Sequence, residues 1–179
     1  MQRKNSYSAK PGPAGGSEER RLDAADRRIL AALRRNGRLT IAELAEEVGL
    51  SASPCWNRLK RLEAAGAIDG YVAVLNARYV GIPQVFYIEI TLDHPDEKSL
   101  ERFGVALAEM PEVMEAHLVT GEYDYLVKVA VIDADHYEGF LRRTLYRIKG
   151  IRSTRSTFAL RTLKFQPSVD PMLVTDRGR

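Results

Sequence analysis

Two groups of residues in this chain have the types and spacing to do chemistry. The first lies within Leu50–Glu63, where Ser53, Pro54, Asn57, Arg58, Lys60 and Arg61 follow one another closely. An amide that both gives and accepts hydrogen bonds, a hydroxyl and three cations suit base edges and phosphates, provided a rigid element carries them into a duplex groove. The second group is Thr120, Gly121, Glu122, Tyr123, Asp124 and Tyr125, with Thr154 and Ser156 further along. Free backbone N–H groups beside a glycine can hold a carboxylate, and Asp124 can meet an ammonium, which together are the two ends of an amino-acid zwitterion. A glycine-bearing connection between antiparallel strands explains the same loop, and strand alternation explains Thr154 and Ser156. On the residues alone both readings stand.

Hydrolytic, redox and metal chemistry have no comparable foothold. His94, His117 and His136 are far apart in sequence with no nucleophile beside them, and read as surface or strand residues. No paired-carboxylate, Ser/His/Asp or phosphate-loop pattern occurs, and no Cys/His cluster has zinc-ligand spacing. The expectation is no enzyme, no cofactor and no metal. Asp133 and Asp135 precede a helical stretch and read as caps.

The first group needs a scaffold of helices. Asp23 can cap a helix carrying Ile29, Leu30 and Leu33 on one face and ending near Asn36-Gly37. Thr40 with Glu43 three residues on is a capping box for a second, short helix through Leu44, Ala45 and Val48. Gly49 ends that helix and Ser51 caps the third. A 3.6-residue period puts Ala52, Cys55, Leu59 and Leu62 on one inward stripe. Ser53, Asn57, Lys60 and Arg61 then point outward, with Pro54 and Arg58 on a shoulder, and Trp56 fills core or interface space. Ser53, Asn57, Arg58 and Arg61 are the expected base or phosphate contacts, and Lys60 touches a phosphate. Beyond Gly66, Asp69-Gly70 between extended segments suggests a small hairpin or wing. Residues 23–75 therefore read as a winged helix-turn-helix.

The second group needs a sheet. Gln84 to Leu92 is β-rich, and Pro95-Asp96 leads into a helix with Leu100, Phe103, Leu107 and Met110 on one face. Strands are expected from Val113 to Thr120 and from Tyr123 to Ile132. A helix from Ala134 to Lys149 follows, with Gly150 at its end, and then a long strand from Ile151 to Lys164. The order βαββαβ gives an α+β, ferredoxin-like domain with both helices on one face of an antiparallel sheet. The other face, expected to carry Val85, Tyr87, Val127 and Val129 or their neighbours, calls for sheet-to-sheet dimerisation.

Composition frames these units. The 179 residues suffice for two small domains. Residues 1–76 hold thirteen Lys and Arg against nine Asp and Glu, and residues 77–179 hold fourteen against fifteen, so the basic excess sits in front. A basic front and a near-neutral back suit a nucleic-acid module joined to another body. No apolar run is long enough to span a membrane, and the start lacks a secretory apolar stretch, so a cytoplasmic protein is expected. The single cysteine, Cys55, excludes an intramolecular disulfide. Residues 1–22 read as a disordered basic arm, 76–83 as a linker, 84–165 as the second domain and 166–179 as a tail.

The sequence resembles the leucine-responsive regulatory protein (Lrp/AsnC) family of transcription regulators. The matching residues are Leu22-Asp23, Asp26-Arg27, Ile29-Leu30, Asn36-Gly37-Arg38, Glu43-Leu44-Ala45, Val48 through Leu62-Glu63, then Gly66, Ile68 and Gly70-Tyr71. In the back half they are Val119 through Tyr125 and Thr154-Arg155-Ser156. The long front arm departs from the family's compact start, and Glu122 stands where an Asp is common. The resemblance implies a dimer whose basic helices read two half-sites of double-stranded DNA, assembled through its effector domains, often into octamers. It also implies a small effector, an amino acid, bound between dimers near residues 120–125, with Thr154 and Ser156 alongside. Two rivals remain. The sirohaem decarboxylases resemble the same architecture, and His117 and Arg155 are the residues such an enzyme would enlist. An RNA-binding sheet would need stacking aromatics such as Tyr87, Tyr123 and Tyr125 on a basic face, yet this half has no cationic excess.

Overall fold

A computed structural model of the protein describes residues 22–174. Of the expected basic arm, residues 1–21 lie outside that range, and Leu22 packs on the first core. The described chain divides into two compact units, residues 22–74 with 164–174, and residues 75–163.

The first unit is built on three helices, α1 (Ala24–Arg35), α2 (Ile41–Val48) and α3 (Ala52–Ala64). Each starts where the sequence supplies a cap. Asp23 accepts a hydrogen bond from Asp26 N at 2.8 Å, and the Asp26 carboxylate accepts one from Asp23 N at 3.2 Å, closing a reciprocal box. Thr40 and Glu43 form the same box on α2. Gly49 ends α2 at φ 69°, a left-handed conformation that favours glycine, and so allows the tight turn into α3. Ser51 occupies the N-cap position of α3 without the side-chain bond expected of it. Ile29, Ala32, Leu44, Ala45, Val48, Cys55, Leu59 and Leu62 close the core between the helices. Ala52, expected on this stripe, is exposed, and the buried stripe of α3 begins at Cys55.

Downstream of α3 the expected hairpin does not form within the chain. Residues 68–76 take up no regular secondary structure and have no ladder partner among the described residues. A two-stranded ribbon is marginal without a third strand or a helix to cover it. The segment is fixed at its start, where the Tyr71 hydroxyl donates to Glu63 Oε1 at 3.1 Å. Burial and the Glu63 carboxylate push the Tyr71 phenol up to about 12. Residues 166–174, expected as a plain tail, return to α1: Arg34 donates to the Gln166 side chain at 2.6 Å, the Ser168 carbonyl at 3.1 Å and Asp170 Oδ2 at 3.2 Å.

The second unit is an antiparallel sheet of β1 (Gln84–Leu92), β2 (Val113–Leu118), β3 (Tyr125–Val131) and β4 (Ile151–Phe158) in the order β2-β3-β1-β4. Helices α4 (Glu97–Ala108) and α5 (Ala134–Arg143) supply Phe103, Leu107, Tyr137 and Phe140 to its core. Asp96 and Asp133 cap them. Cross-strand register fixes which residues share a face. Ile88 pairs with Val127 and Phe86 with Val129, and Val127 and Val129 are fully buried on the helix side. These two valines therefore do not lie on the open face. That face carries Val85, Tyr87 and Glu89 opposite Ala130, Lys128 and Leu126. The last strand stops at Phe158, short of the expected Lys164; Phe158 pairs with Phe86, and beyond it one further bond runs from Ala159 N to the Val85 carbonyl near the start of β1. α5 stops at Arg143, and a 3-10 turn at Leu145–Arg147 then delivers Leu145 to the core. No helix among the described residues is long and apolar enough to cross a membrane.

Candidate functional site

The outward side of α3 is the first site. Ser53, Pro54, Trp56, Asn57, Lys60 and Arg61 are exposed, while Cys55, Leu59 and Leu62 on the opposite side are buried. Burial raises the Cys55 thiol pKa and leaves that side chain a core group. Trp56, expected as filling, is 45% exposed, with Lys60 Nζ 4.5 Å from its ring centroid. Lys60 also pairs with Glu63 at 2.9 Å, and its ammonium holds the Glu63 carboxyl below the usual range.

Arg58 and Arg61 are tied back to α1. Arg58 Nη1 donates to Asp23 Oδ2 at 2.5 Å and to Asp26 Oδ1 at 2.8 Å, and Arg61 Nη2 donates to Asp26 Oδ2 at 2.6 Å. The cap bond from Asp26 N, and after it Arg58, lowers the Asp23 pKa. The Arg61 side chain stays 60% exposed and that of Arg58 31%. So the uncharged Asn57 and Ser53 stand exposed on the outer side, beside Trp56. The two arginines bridge helices. The outward placement of Trp56 and the burial of Asp26 escaped the sequence reading. Asp26 has the spacing of an ordinary capping residue, and only the packing of α3 over α1 buries it.

The second group is spread over the sheet end. Thr120, Gly121 and Glu122 are exposed in the β2–β3 connection, and Tyr123 and Asp124 are half-buried. Asp124 braces the loop: its carboxylate accepts from Leu92 N at 2.7 Å, its N–H donates to the Ile90 carbonyl, and its carbonyl accepts from Val119 N. Tyr125 is a core residue, 4% exposed, packed on Phe103, with its hydroxyl donating to the Leu100 carbonyl at 2.5 Å. It is removed from the ligand-contacting set and from any stacking platform. Thr154 and Ser156 lie on the helix side of β4. Thr154 Oγ1 shares a hydrogen bond with the Tyr146 hydroxyl at 3.0 Å, and Ser156 Oγ accepts from Tyr137 at 2.5 Å. Burial raises the Tyr137 phenol pKa. Thr154 lines a shallow cleft of about 470 Å³ with Tyr146, Lys149, Gly150 and Arg152. The loop at 120–124 lines neither this cleft nor a smaller one of about 280 Å³ around His94, Arg102 and Lys149.

His117 and Arg155 sit on the two edge strands, β2 and β4. Register places both in one row across the sheet through Leu126 and Glu89. Three strand spacings, roughly 14 Å, separate them. Each faces a carboxylate, Glu115 at 3.6 Å and Glu89 at 3.9 Å. No group of three or more metal-ligating side chains occurs among the described residues.

Comparison with known proteins adds an independent line. Residues 22–69 match the family model for winged helix-turn-helix DNA-binding domains, and residues 85–169 match that for the Lrp/AsnC ligand binding domain. The leucine-responsive regulatory protein of Escherichia coli K12 is 40% identical over 143 residues, covering 80% of this chain and 87% of the relative. A transcriptional regulator from Neisseria meningitidis, solved as a complex with L-Met, superposes with a TM-score of 0.79 at 36% identity, over 83% of this chain and 96% of that one. An AsnC family regulator from Agrobacterium tumefaciens gives 0.82 at 33% identity, over 86% and 100%.

Proposed function

The chain belongs to the Lrp/AsnC family of DNA-binding transcription regulators, and we propose that it reads double-stranded DNA through Ser53, Pro54, Asn57, Lys60 and Arg61 of α3 under the control of an amino acid. The observation that carries this reading is the division of α3 into a buried apolar side and an exposed side with Asn57 at its centre. Trp56 joins the contact set, and Arg58 serves mainly to hold the helix. The reading helix needs a rigid mount, and the two capping boxes and the shared core supply one.

Residues 84–165 form the ligand-binding and oligomerisation domain in this proposal. Thr120, Gly121, Glu122, Tyr123 and Asp124 contribute to the effector site, with Thr154 and Ser156 as further candidates. Support comes from the exposed loop around Gly121 and from the L-Met bound to the Neisseria regulator. The loop lines neither of the two clefts described above, and in this proposal a neighbouring copy completes the pocket. The open sheet face with Val85, Tyr87, Leu126 and Ala130 supplies a homodimer surface, and further assembly to an octamer follows the family pattern. An effector that binds one assembly more tightly than another shifts the spacing of the reading helices and so the fit to two half-sites. The protein works in the cytoplasm and is not an enzyme. An enzyme of the sirohaem-decarboxylase kind would bring His117 and Arg155 to one centre, whereas here both face carboxylates on opposite edges of the sheet.

The test is a selection of bound duplexes from a random pool, followed by a thermal-shift screen of the twenty amino acids. A discrete duplex motif is expected, together with a melting temperature that rises with one or a few amino acids. A protein that binds no duplex, or that purifies with a tetrapyrrole absorption band, refutes the proposal.

A further inference from the structure

We infer that Asp26 is a positioning residue for DNA reading: its buried carboxylate, together with that of Asp23, withholds Arg58 from phosphates, and it aims Arg61 at the duplex. This rests on the proposal that α3 reads DNA. Asp26 is the one charged residue buried in the described core, 1% exposed, and every donor that reaches it serves a purpose on α1 or α3. Oδ1 accepts from Arg58 Nη1. Oδ2 accepts from Arg61 Nη2 and from the Asp23 backbone N–H.

An apolar side chain would join α1 to α3 at a smaller desolvation cost. The distinctive consequence of a carboxylate here is direction. Arg58 shares one nitrogen between Asp23 and Asp26 and its side chain is half-buried, so its charge is offset by two carboxylates of α1 and its cap. Arg61 lends one nitrogen to Asp26 and, on a side chain 60% exposed, keeps the other guanidinium nitrogens for another partner. A guanidinium fixed at one corner presents its remaining donors in a set geometry, as bidentate recognition of a base demands. Non-specific affinity for DNA grows with each cation free to neutralise a phosphate. Discrimination between sequences is a difference of two affinities, and restraining Arg58 while aiming Arg61 enlarges it.

The experiment measures binding of the full chain to a duplex obtained by selection and to a random-sequence duplex pool across a salt series. Asp26→Asn made together with Asp23→Asn, which frees Arg58 of both carboxylates, should steepen the salt dependence on the random pool by about 0.9 in log–log slope, the value for one added phosphate contact. The ratio of selected to random affinity should fall at least roughly fivefold, the lower end of what one bidentate base contact discriminates. Asp26→Glu, which keeps the charge, should recover part of that ratio. A residue serving the fold alone would weaken both duplexes together and leave the slope unchanged, and that result overturns the inference. Arg58→Gln on the parent chain covers the case in which the double variant fails to fold. An unchanged random-pool slope supports the inference, and a slope smaller by about 0.9 overturns it, since Arg58 would then already neutralise a phosphate. A parent chain that binds neither duplex refutes the DNA reading itself. A parent that discriminates, with variants that do not shift as stated, refutes only the role of Asp26.

Discussion

Asn57→Ala separates reading from folding more cleanly than any change to the nearby arginines. Asn57 is exposed at the middle of α3, with Cys55 and Leu59 holding the helix from the opposite side. Its replacement removes no buried contact, so unfolding free energy should stay within about 0.5 kcal/mol of the parent. Alanine's helix propensity can even raise it slightly. If the amide reads an adenine edge, its loss should cost about 1–3 kcal/mol per half-site, roughly a 5- to 150-fold weaker fit to the selected duplex. Asparagine carries no charge, so the salt dependence on random DNA should not change. Arg61→Ala behaves differently, because Asp26 then loses one of its donors and stability falls along with binding. Fluorescence anisotropy on both duplexes, beside a thermal melt of each variant, reads all of this. An Asn57→Ala protein that binds the selected duplex as tightly as the parent, or that loses equal affinity for random DNA, refutes the assignment.

Asp124→Asn keeps an acceptor for the Leu92 N–H, so the loop should hold its shape while any effect of the amino acid on DNA binding disappears; an undiminished response places the ammonium partner elsewhere. Arg34→Ala removes three hydrogen bonds to residues 166–170, one of them an ion pair to a partly exposed Asp170. It should destabilise that attachment by about 1–2 kcal/mol, seen as faster proteolysis beyond Lys164, and unchanged cleavage contradicts the contact. The Asp23 pKa is lowered in the folded protein, so its contribution is present above the unfolded value near 4 and is lost as pH falls through the folded value. Melting temperature should therefore change less between about pH 5 and about pH 2 in Asp23→Asn than in the parent, and identical pH profiles argue against a native-state bond to Asp23.

Local signals delimit the helices well. The Thr40/Glu43 box and Gly49 delimit α2, and the spacing of Cys55, Leu59 and Leu62 orients α3, because caps and helical period act over a few residues. Strand faces were harder. Val127 and Val129 alternate correctly, but only pairing of β3 with β1 decides that they face α4 and α5. Tyr125 looked like a ligand contact for the same reason: position in a motif does not reveal that Phe103 and the Leu100 carbonyl claim its ring and hydroxyl. The Asp26 cluster joins side chains more than thirty residues apart. The attachment of residues 166–170 to Arg34 spans more than 130. Neither leaves a periodic trace in sequence. The Thr120–Asp124 loop was legible as a glycine-bearing connection, while a pocket completed by a second copy depends on surfaces that one chain's pattern does not encode.

The claim that the outer side of α3 meets DNA can be tested with the chain's own reporter. Trp56 is the single tryptophan of the protein and stands 45% exposed beside Asn57. Acrylamide quenching of its fluorescence should fall when the selected duplex is added at saturating concentration, since bound DNA would cover the ring. Quenching that is unchanged while anisotropy of labelled duplex shows full binding would contradict the account, for the DNA would then lie on some other surface.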